Sequence, residues 1–170
     1  MATLAGQARP AARSLAPDTY ERFLAFAALA LFATILVALA KGSAQWDRLP
    51  PMVWGHLLTV LVALALTPVI LLRPRGNATH RLLGRVWVAA MFLTAVLSFF
   101  VRSSNHGNFS IIHLISAYVV LVTPLLWWSA RTHQIAAHRR HVRGMVTGAL
   151  LIAGFFTLPF GRMLGRWLFA

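Results

Sequence analysis

Four of the seven histidines in this chain stand at matched positions in long apolar segments. His56 and His113 lie shortly after the start of two such segments, and His80 and His138 lie at the start of two others. An ionisable side chain within a membrane span is energetically costly, which makes it a functional candidate. Two imidazoles facing each other across a helical bundle can ligate haem iron, and Gly84 leaves room beside His80. The spacing therefore predicts one or two b-type haems, ligated by His56 with His113 and by His80 with His138.

Arginines near these histidines are candidates for binding haem propionates. Arg162 is predicted to meet the propionates of an outer haem, and Arg81 and Arg139 those of an inner haem. His141 is an alternative inner ligand, because it shares a helix face with His138 if the fifth helix begins early. No catalytic residue is predicted, and whether the chain is an enzyme stays open.

Five apolar segments are long enough to position these residues, since a helix needs roughly 20 apolar residues to cross a bilayer. We therefore predict an all-α integral membrane protein with five transmembrane helices, in which helices two to five form a four-helix bundle. Residues 1–19 form a tail and residues 20–170 form a single transmembrane domain. The predicted spans are about 20–40, 51–72, 82–101, 109–128 and 144–168.

The four-helix bundle is predicted to consist of two repeated helix pairs. A histidine, a Thr-Pro step, an arginine and a His-Arg step occur in the same order in both pairs. Repeated pairs that start on the same side of the membrane are related by an axis along the membrane normal. The alternative is that any two apolar hairpins with arginine-rich loops look alike. The matching residues are His56, Thr67-Pro68, Arg73, His80-Arg81 and Arg85 against His113, Thr123-Pro124, Arg131, His138-Arg139 and Arg143.

The composition excludes an ordinary soluble enzyme. Apolar residues make up 59% of the chain and charged residues only 11%, and three carboxylates cannot cover a water-soluble surface. The net charge of +13 does not indicate nucleic acid, because the basic residues occupy the gaps between apolar runs. The absence of cysteine excludes disulfides and thiolate metal sites. The expected partner is therefore the lipid bilayer, with no nucleic acid.

The distribution of charge predicts an orientation. Most of the sixteen basic residues fall in the tail and in the two loops that share its side of the membrane. The positive-inside rule then places the N-terminus in the cytoplasm and the C-terminus outside a bacterial inner membrane. The tail also has the composition of a mitochondrial transit peptide, although a short cytoplasmic tail is the favoured interpretation.

Three sequence runs resemble the bacterial membrane family called domain of unknown function 2306, over about residues 56–162. The resemblance implies a membrane class and no particular reaction. The pairing of histidines on helices two and four, and three and five, is similar to two-haem transmembrane cytochromes b such as the ascorbate-dependent ferrireductases. The runs are His80-Arg-Leu-Leu-Gly-Arg85, His138-Arg-Arg-His-Val-Arg-Gly-Met145 and Leu158-Pro-Phe-Gly-Arg162.

These observations lead to two functional hypotheses. The first is a membrane-embedded haem protein that moves electrons across or within the membrane, with a quinol or a larger membrane complex as partner. The second is a haem-free accessory subunit, assembly factor or small transporter. The pattern Gly144-x-x-x-Gly148 permits a homodimer. No carboxylate is expected inside a span, so no proton relay built on Asp or Glu is expected.

Overall fold

The computed structural model describes residues 16–101, 111–159 and 161–170, and every regular element in these ranges is a helix. This confirms the prediction of an all-α fold. Most of the predicted tail, the start of the fourth predicted span and His106, to which the sequence assigns no role, lie outside the described residues. The long helices are α1 (Thr19–Lys41), α2 (Pro51–Leu72), α3 (Ala78–Ser98) and α4 (Ile111–Arg131).

The rest of the chain forms a composite helix and two short ones. Helix α5 has three consecutive parts, which are α-helical at Ile135–Gly144, π-helical at Met145–Ile152 and α-helical at Ala153–Phe155. Helix α6 covers Met163–Phe169, and a 3₁₀ helix covers Ser43–Arg48.

Helices α1 to α4 are long and apolar enough to cross a membrane. The outer face of α1 is suited to a bilayer, since Phe23 and Phe26 are 64% and 62% exposed. Large apolar side chains on the outside of a helix are stable in lipid and are a liability in water. The architecture is that of a multi-pass membrane protein, as predicted.

Local sequence signals set where these helices begin. Asp18 and Glu21 form a capping box at the start of α1, in which each side chain accepts a hydrogen bond from the other residue's backbone N–H. Pro51 occupies the first position of α2, where its missing N–H costs nothing. The Asn77 side chain accepts a hydrogen bond of 2.7 Å from the backbone N–H of His80 and so caps α3.

The two Thr-Pro steps have the same local structure. Pro68 and Pro124 lie inside α2 and α4, where each removes one helical hydrogen bond. The hydroxyl groups of Thr67 and Thr123 each donate to the carbonyl oxygen one turn earlier, at 2.7 Å in both cases. Side-chain bonds of this kind help membrane helices to continue through a proline.

Helix α1 is an integral part of the bundle, which the predicted four-helix arrangement of helices two to five did not include. It packs against α2 and against the π-helical part of α5, while α3 packs between α2 and α4. Tyr20 Oη lies 2.6 Å from Thr147 Oγ1 across the α1–α5 contact. A Cβ atom added to Gly154 would approach the Leu31 side chain to 2.7 Å, which shows how closely these helices meet.

The fifth helical segment differs from the predicted span at residues 144–168. It begins at Ile135 and ends at Phe155, and a turn separates it from α6. The early start has an electrostatic cause, because Arg139 and Arg143 pair with acidic residues of α1. After Phe155 the chain leaves the helix, and Pro159 and Gly161, whose φ is +67°, lie in the turn that leads to α6.

The glycine pattern proposed for a dimer makes contacts inside the chain. A Cβ atom at Gly144 would lie 2.5 Å from the Tyr118 hydroxyl of α4, whereas one at Gly148 would meet no atom within 4 Å. Gly144 therefore serves the contact between α4 and α5. The homodimer stays a prediction.

The alternating helices give the bundle two ends. The end where α1 begins, which we call the arginine end, carries Arg75, Arg81, Arg85, Arg131 and Arg139. The opposite end carries α6, which is fixed to the end of α1. Lys41 Nζ donates to the Leu168 carbonyl oxygen at 2.7 Å, and Trp167 Nε1 donates to Gln45 Oε1 at 3.1 Å.

Candidate functional site

A cavity of about 300 Å³ opens at the arginine end, between α3, α4 and α5. Two of the predicted haem-ligating histidines, His80 and His138, line it together. Its volume is at the lower limit of ordinary ligand pockets, which span about 300–1,000 Å³. Its apolar wall consists of Ile70, Leu71, Trp87, Val88 and Leu126.

The two histidines reach the cavity from the starts of different helices. His80 lies in the first turn of α3, and His138 lies near the start of α5 because that helix begins earlier than predicted. Both side chains line the same cavity. The predicted inner pair is therefore brought together.

The hydrogen bonding of these rings leaves ring nitrogens available. His138 Nδ1 lies 3.5 Å from the Leu126 carbonyl oxygen, which can only accept, so the contact favours the tautomer with a proton on Nδ1. Its Nε2 then keeps a lone pair, as in metal-ligating histidines that donate to a backbone carbonyl. His80 Nδ1 is buried and has no hydrogen-bond partner among the described residues.

The cavity has free space beside His80 and a firmly held wall. Gly84 lines it one turn after His80, and a Cβ atom there would meet no atom within 4 Å. Trp87, only 1% exposed, donates from Nε1 to Thr67 Oγ1 at 2.9 Å. The Thr67 hydroxyl in turn donates within α2, so this indole is tied to the neighbouring helix.

The arginines around the cavity differ in what they contact. Arg139, a predicted propionate partner, directs its guanidinium at Glu21 and Asp18 instead. Arg81, the other predicted partner, lines the cavity and donates to the Gly76 carbonyl oxygen at 2.6 Å.

Two further arginines, Arg85 and Arg131, also line the cavity, and both are exposed. Neither was predicted from sequence to bind an anion. Their positions in the loops of both repeated pairs were the available signal. The Arg131 guanidinium stacks over the Trp127 ring at 5.6 Å.

A buried carboxylate, that of Glu21, lies in the cavity wall. It was not predicted from the sequence as a residue of the site. It is 2% exposed, and its oxygens accept from Arg75 Nη2 at 2.5 Å and from Arg139 Nη2 at 2.8 Å. Arg143 Nη2 lies 3.1 Å from the same carboxylate. The expectation that no carboxylate lies inside a span is therefore wrong for the first turn of α1.

The signal for Glu21 was present in the sequence. The pattern Asp18-x-x-Glu21 before an apolar run is a capping box, and it uses two of only three acidic residues in the chain. We call Asp18, Glu21, Arg75, Arg139 and Arg143 the Glu21 cluster.

Asp18 lies at the exposed rim of the Glu21 cluster, where its neighbours stabilise the charged form of its carboxylate. Its carboxylate accepts from the Glu21 backbone N–H and from Arg143, and these bonds hold the pKa of Asp18 below its usual range. The Arg143 guanidinium also stacks over the Tyr20 ring at 5.7 Å. The cost of leaving a buried charge unpaired, about 3–5 kcal/mol, applies to Glu21, which is 2% exposed, and not to Asp18, whose side chain is 45% exposed.

The predicted outer pair lies at the opposite end, against the last turns of α3. His56 Nδ1 lies 3.2 Å from the Thr94 carbonyl oxygen, and Ser98 Oγ lies at 3.2 Å from the same nitrogen. His113 is 5% exposed, and its ring centroid lies 6.1 Å from that of Phe99. His56 therefore contacts the backbone and side chains of α3, and Phe99 at the end of α3 lies beside the His113 ring.

The remaining predicted residues are distributed between the two ends. Arg162 immediately precedes α6, at the same end as His56. His141 lies in α5 with its Nδ1 buried and without a hydrogen-bond partner among the described residues. His133, which was assigned no role, lines the cavity from a loop position with a φ of 55°.

Within residues 16–101, 111–159 and 161–170 no group of three or more histidine, aspartate or glutamate side chains is arranged to hold a metal ion. Comparison of the chain with family models, with curated proteins and with solved structures finds no match.

Proposed function

We propose that the chain is a membrane protein that binds b-type haem and passes electrons across or within the membrane. The observation that carries the proposal is the meeting of His80 and His138 in one cavity with an apolar wall and a cationic rim. Residues at the starts of two helices that are distant in sequence line it together, and both imidazoles would hold the haem there.

The chain's own residues fit distinct tasks at this site. His80 and His138 would provide the imidazole nitrogens, and Trp87 with its apolar neighbours would exclude water. Arg81 and Arg85 would bind carboxylates at the cavity mouth, where Arg139 is already engaged with Glu21. Haem b held there would supply reversible one-electron chemistry, with the donor and acceptor being a quinol or a larger membrane complex.

The second haem site of the proposal is formed by His56 and His113, with Arg162 at the same end. The Thr94 carbonyl oxygen can only accept, so the contact with His56 Nδ1 favours a proton on that nitrogen and a lone pair on Nε2. This is the same arrangement that His138 adopts at the arginine end.

The proposed topology has five spans in a bacterial inner membrane, with the N-terminus in the cytoplasm. Helix α5 at residues 135–155 is the fifth span, although its first part is basic. The pairing of Arg139 and Arg143 with Glu21 and Asp18 offsets part of this charge inside the bundle. A reporter that is active only outside the cytoplasm should therefore work when fused after Ala170, and a cytoplasm-only reporter should not.

The second candidate is a haem-free membrane module, and one observation favours it. The cavity volume of about 300 Å³ suits a smaller ligand than haem unless part of the macrocycle extends into lipid. In that case Arg81, Arg85 and Arg131 would bind anionic lipid headgroups, each worth about 1 kcal/mol near a membrane surface.

The deciding experiment is a reduced-minus-oxidised spectrum of the purified protein, with a pyridine haemochrome assay, from cells with ample haem. We expect a b-type band that His80→Ala and His138→Ala each diminish, because one remaining axial bond holds the iron weakly. His133→Asn is the matched control, since it changes a histidine of the same cavity and asparagine tolerates a positive φ. Wild-type protein with no haem band contradicts the proposal.

A further inference from the structure

We propose that Glu21 is the positioning residue of this cavity, fixing both histidine-bearing segments to α1. The inference rests on the proposed function for its consequence, which is the geometry of the haem ligands. Glu21 itself is assigned no contact with the ligand. It is the only carboxylate that lines the cavity among the described residues.

On the α5 side, Glu21 fixes the rotation of the helix. Arg139 Nε and Nη2 donate to the two oxygens of Glu21 at 2.9 and 2.8 Å, so the guanidinium is held at two points. Neighbouring residues on an α-helix point about 100° apart, given 3.6 residues per turn. With Arg139 held against α1, the adjacent His138 is directed at the cavity.

On the α3 side, Glu21 fixes the place where the helix begins. Arg75 donates from Nη2 to Glu21 at 2.5 Å and from Nη1 to the Ala16 carbonyl oxygen at 3.4 Å. Gly76 follows with a positive φ of 83°, and Asn77 then caps the backbone of His80. Only this short turn separates the held arginine from the histidine.

The two connections share one carboxylate, and this makes the arrangement specific. Arg75 and Arg139 both contact Glu21 Oε2, so the loop before α3 and the start of α5 are held at a common point. Loss of the negative charge would leave the arginines of the Glu21 cluster repelling one another at a site with little solvent. The two segments would then separate, and the distance between His80 and His138 would no longer be fixed.

The test uses a distance measurement that does not depend on haem. The chain contains no cysteine, so Thr79→Cys on α3 and Arg140→Cys on α5, both at exposed positions, accept two spin labels cleanly. Double electron–electron resonance on the labelled full-length protein in lipid nanodiscs then reports the distance between the segments. The background variants are Glu21→Gln, Glu21→Asp and, as matched control, Asp47→Asn, which removes an exposed carboxylate at the opposite end.

We expect a broader distance distribution in Glu21→Gln, partial restoration in Glu21→Asp and no change in Asp47→Asn. In haem-loaded protein the b-type band should be lost in Glu21→Gln. In Glu21→Asp the band should survive, with a shifted low-spin electron paramagnetic resonance signal, because that signal depends on how the imidazoles are oriented. A role confined to overall stability would leave this signal of the surviving haem unchanged, and that result would overturn the inference.

The distance arm decides the inference even without haem. Wild-type protein that binds no haem would contradict the proposed function. An unchanged distance between the spin labels in Glu21→Gln would contradict the positioning role. If Glu21→Gln does not accumulate, Arg75→Gln and Arg139→Gln replace it, each removing one of the two connections. Label distances like those of the wild type in both variants would also overturn the inference.

Discussion

Filling the cavity from Gly84 should remove ligand binding while stabilising the ligand-free protein. A phenyl group fits, because an apolar cavity of about 150 Å³ holds benzene and this one measures about 300 Å³. In Gly84→Phe, replacing a helical glycine contributes about 0.5 kcal/mol. Burying the ring contributes about 1.5 kcal/mol, the low end of the usual range for a half-open site. The sum, about 2 kcal/mol, corresponds to a melting temperature about 4–8 °C higher for a domain of this size.

The assay for Gly84→Phe combines two measurements on the same preparation. Circular dichroism at 222 nm follows thermal unfolding of haem-free protein in detergent, and the absorption spectrum after addition of haem reports binding. Gly84→Ala is the control, since its Cβ atom meets no atom within 4 Å and should leave binding intact. Wild-type haem binding by Gly84→Phe would show that the cavity is not the site. A lower melting temperature would show that the space beside Gly84 is not open.

Three further predictions concern other parts of the molecule. His56→Ala and His113→Ala should each remove the outer haem and leave the inner one. Redox titration of the remaining b-type bands measures this. Identical titrations in the wild type and the variants would contradict the outer site. Gly42→Ala should destabilise the fold by about 1–3 kcal/mol through overpacking, because its Cβ atom would lie 2.1 Å from Trp167. Thermal unfolding checks this, and an unchanged melting temperature would contradict it. Asp18 has a lowered pKa, so its stabilising contribution is complete above its unfolded pKa and is lost as the pH falls below about 4. Acid unfolding of Asp18→Asn should therefore depend less on pH than that of the wild type, and equal dependence would contradict the assignment.

The apolar pattern predicted the helical membrane fold because each of four segments is apolar over the length that a membrane-spanning helix needs. It failed for α5, where the basic run at residues 135–144 resembles a loop. That run forms a half-buried helix in which Arg139 and Arg143 meet the acids of α1, which lie far away in sequence. The π-helical part at Met145–Ile152 likewise has no local signal that we recognise.

At the candidate site, the residue types and their spacing in the sequence were sufficient to select His80 and His138. They did not identify the other residues that line the cavity. The arginine next to His138 was assigned to a ligand from proximity alone, whereas its charge is engaged by Glu21. Conversely, Arg131 lines the cavity, and its place in the loops of the repeated pairs was the sequence signal available for this. Pairing between ends of different helices depends on tertiary packing, and a single sequence does not specify it.

The Glu21 cluster also constrains the order in which the protein is assembled. Glu21 emerges from the ribosome first, while its partners Arg75, Arg139 and Arg143 follow 54, 118 and 122 residues later. During synthesis the first helix therefore carries a carboxylate whose full set of partners does not yet exist. A nascent chain that ends before α5 has only Arg75 of the three arginines that pair with Glu21, so the cluster is completed only when α5 is made.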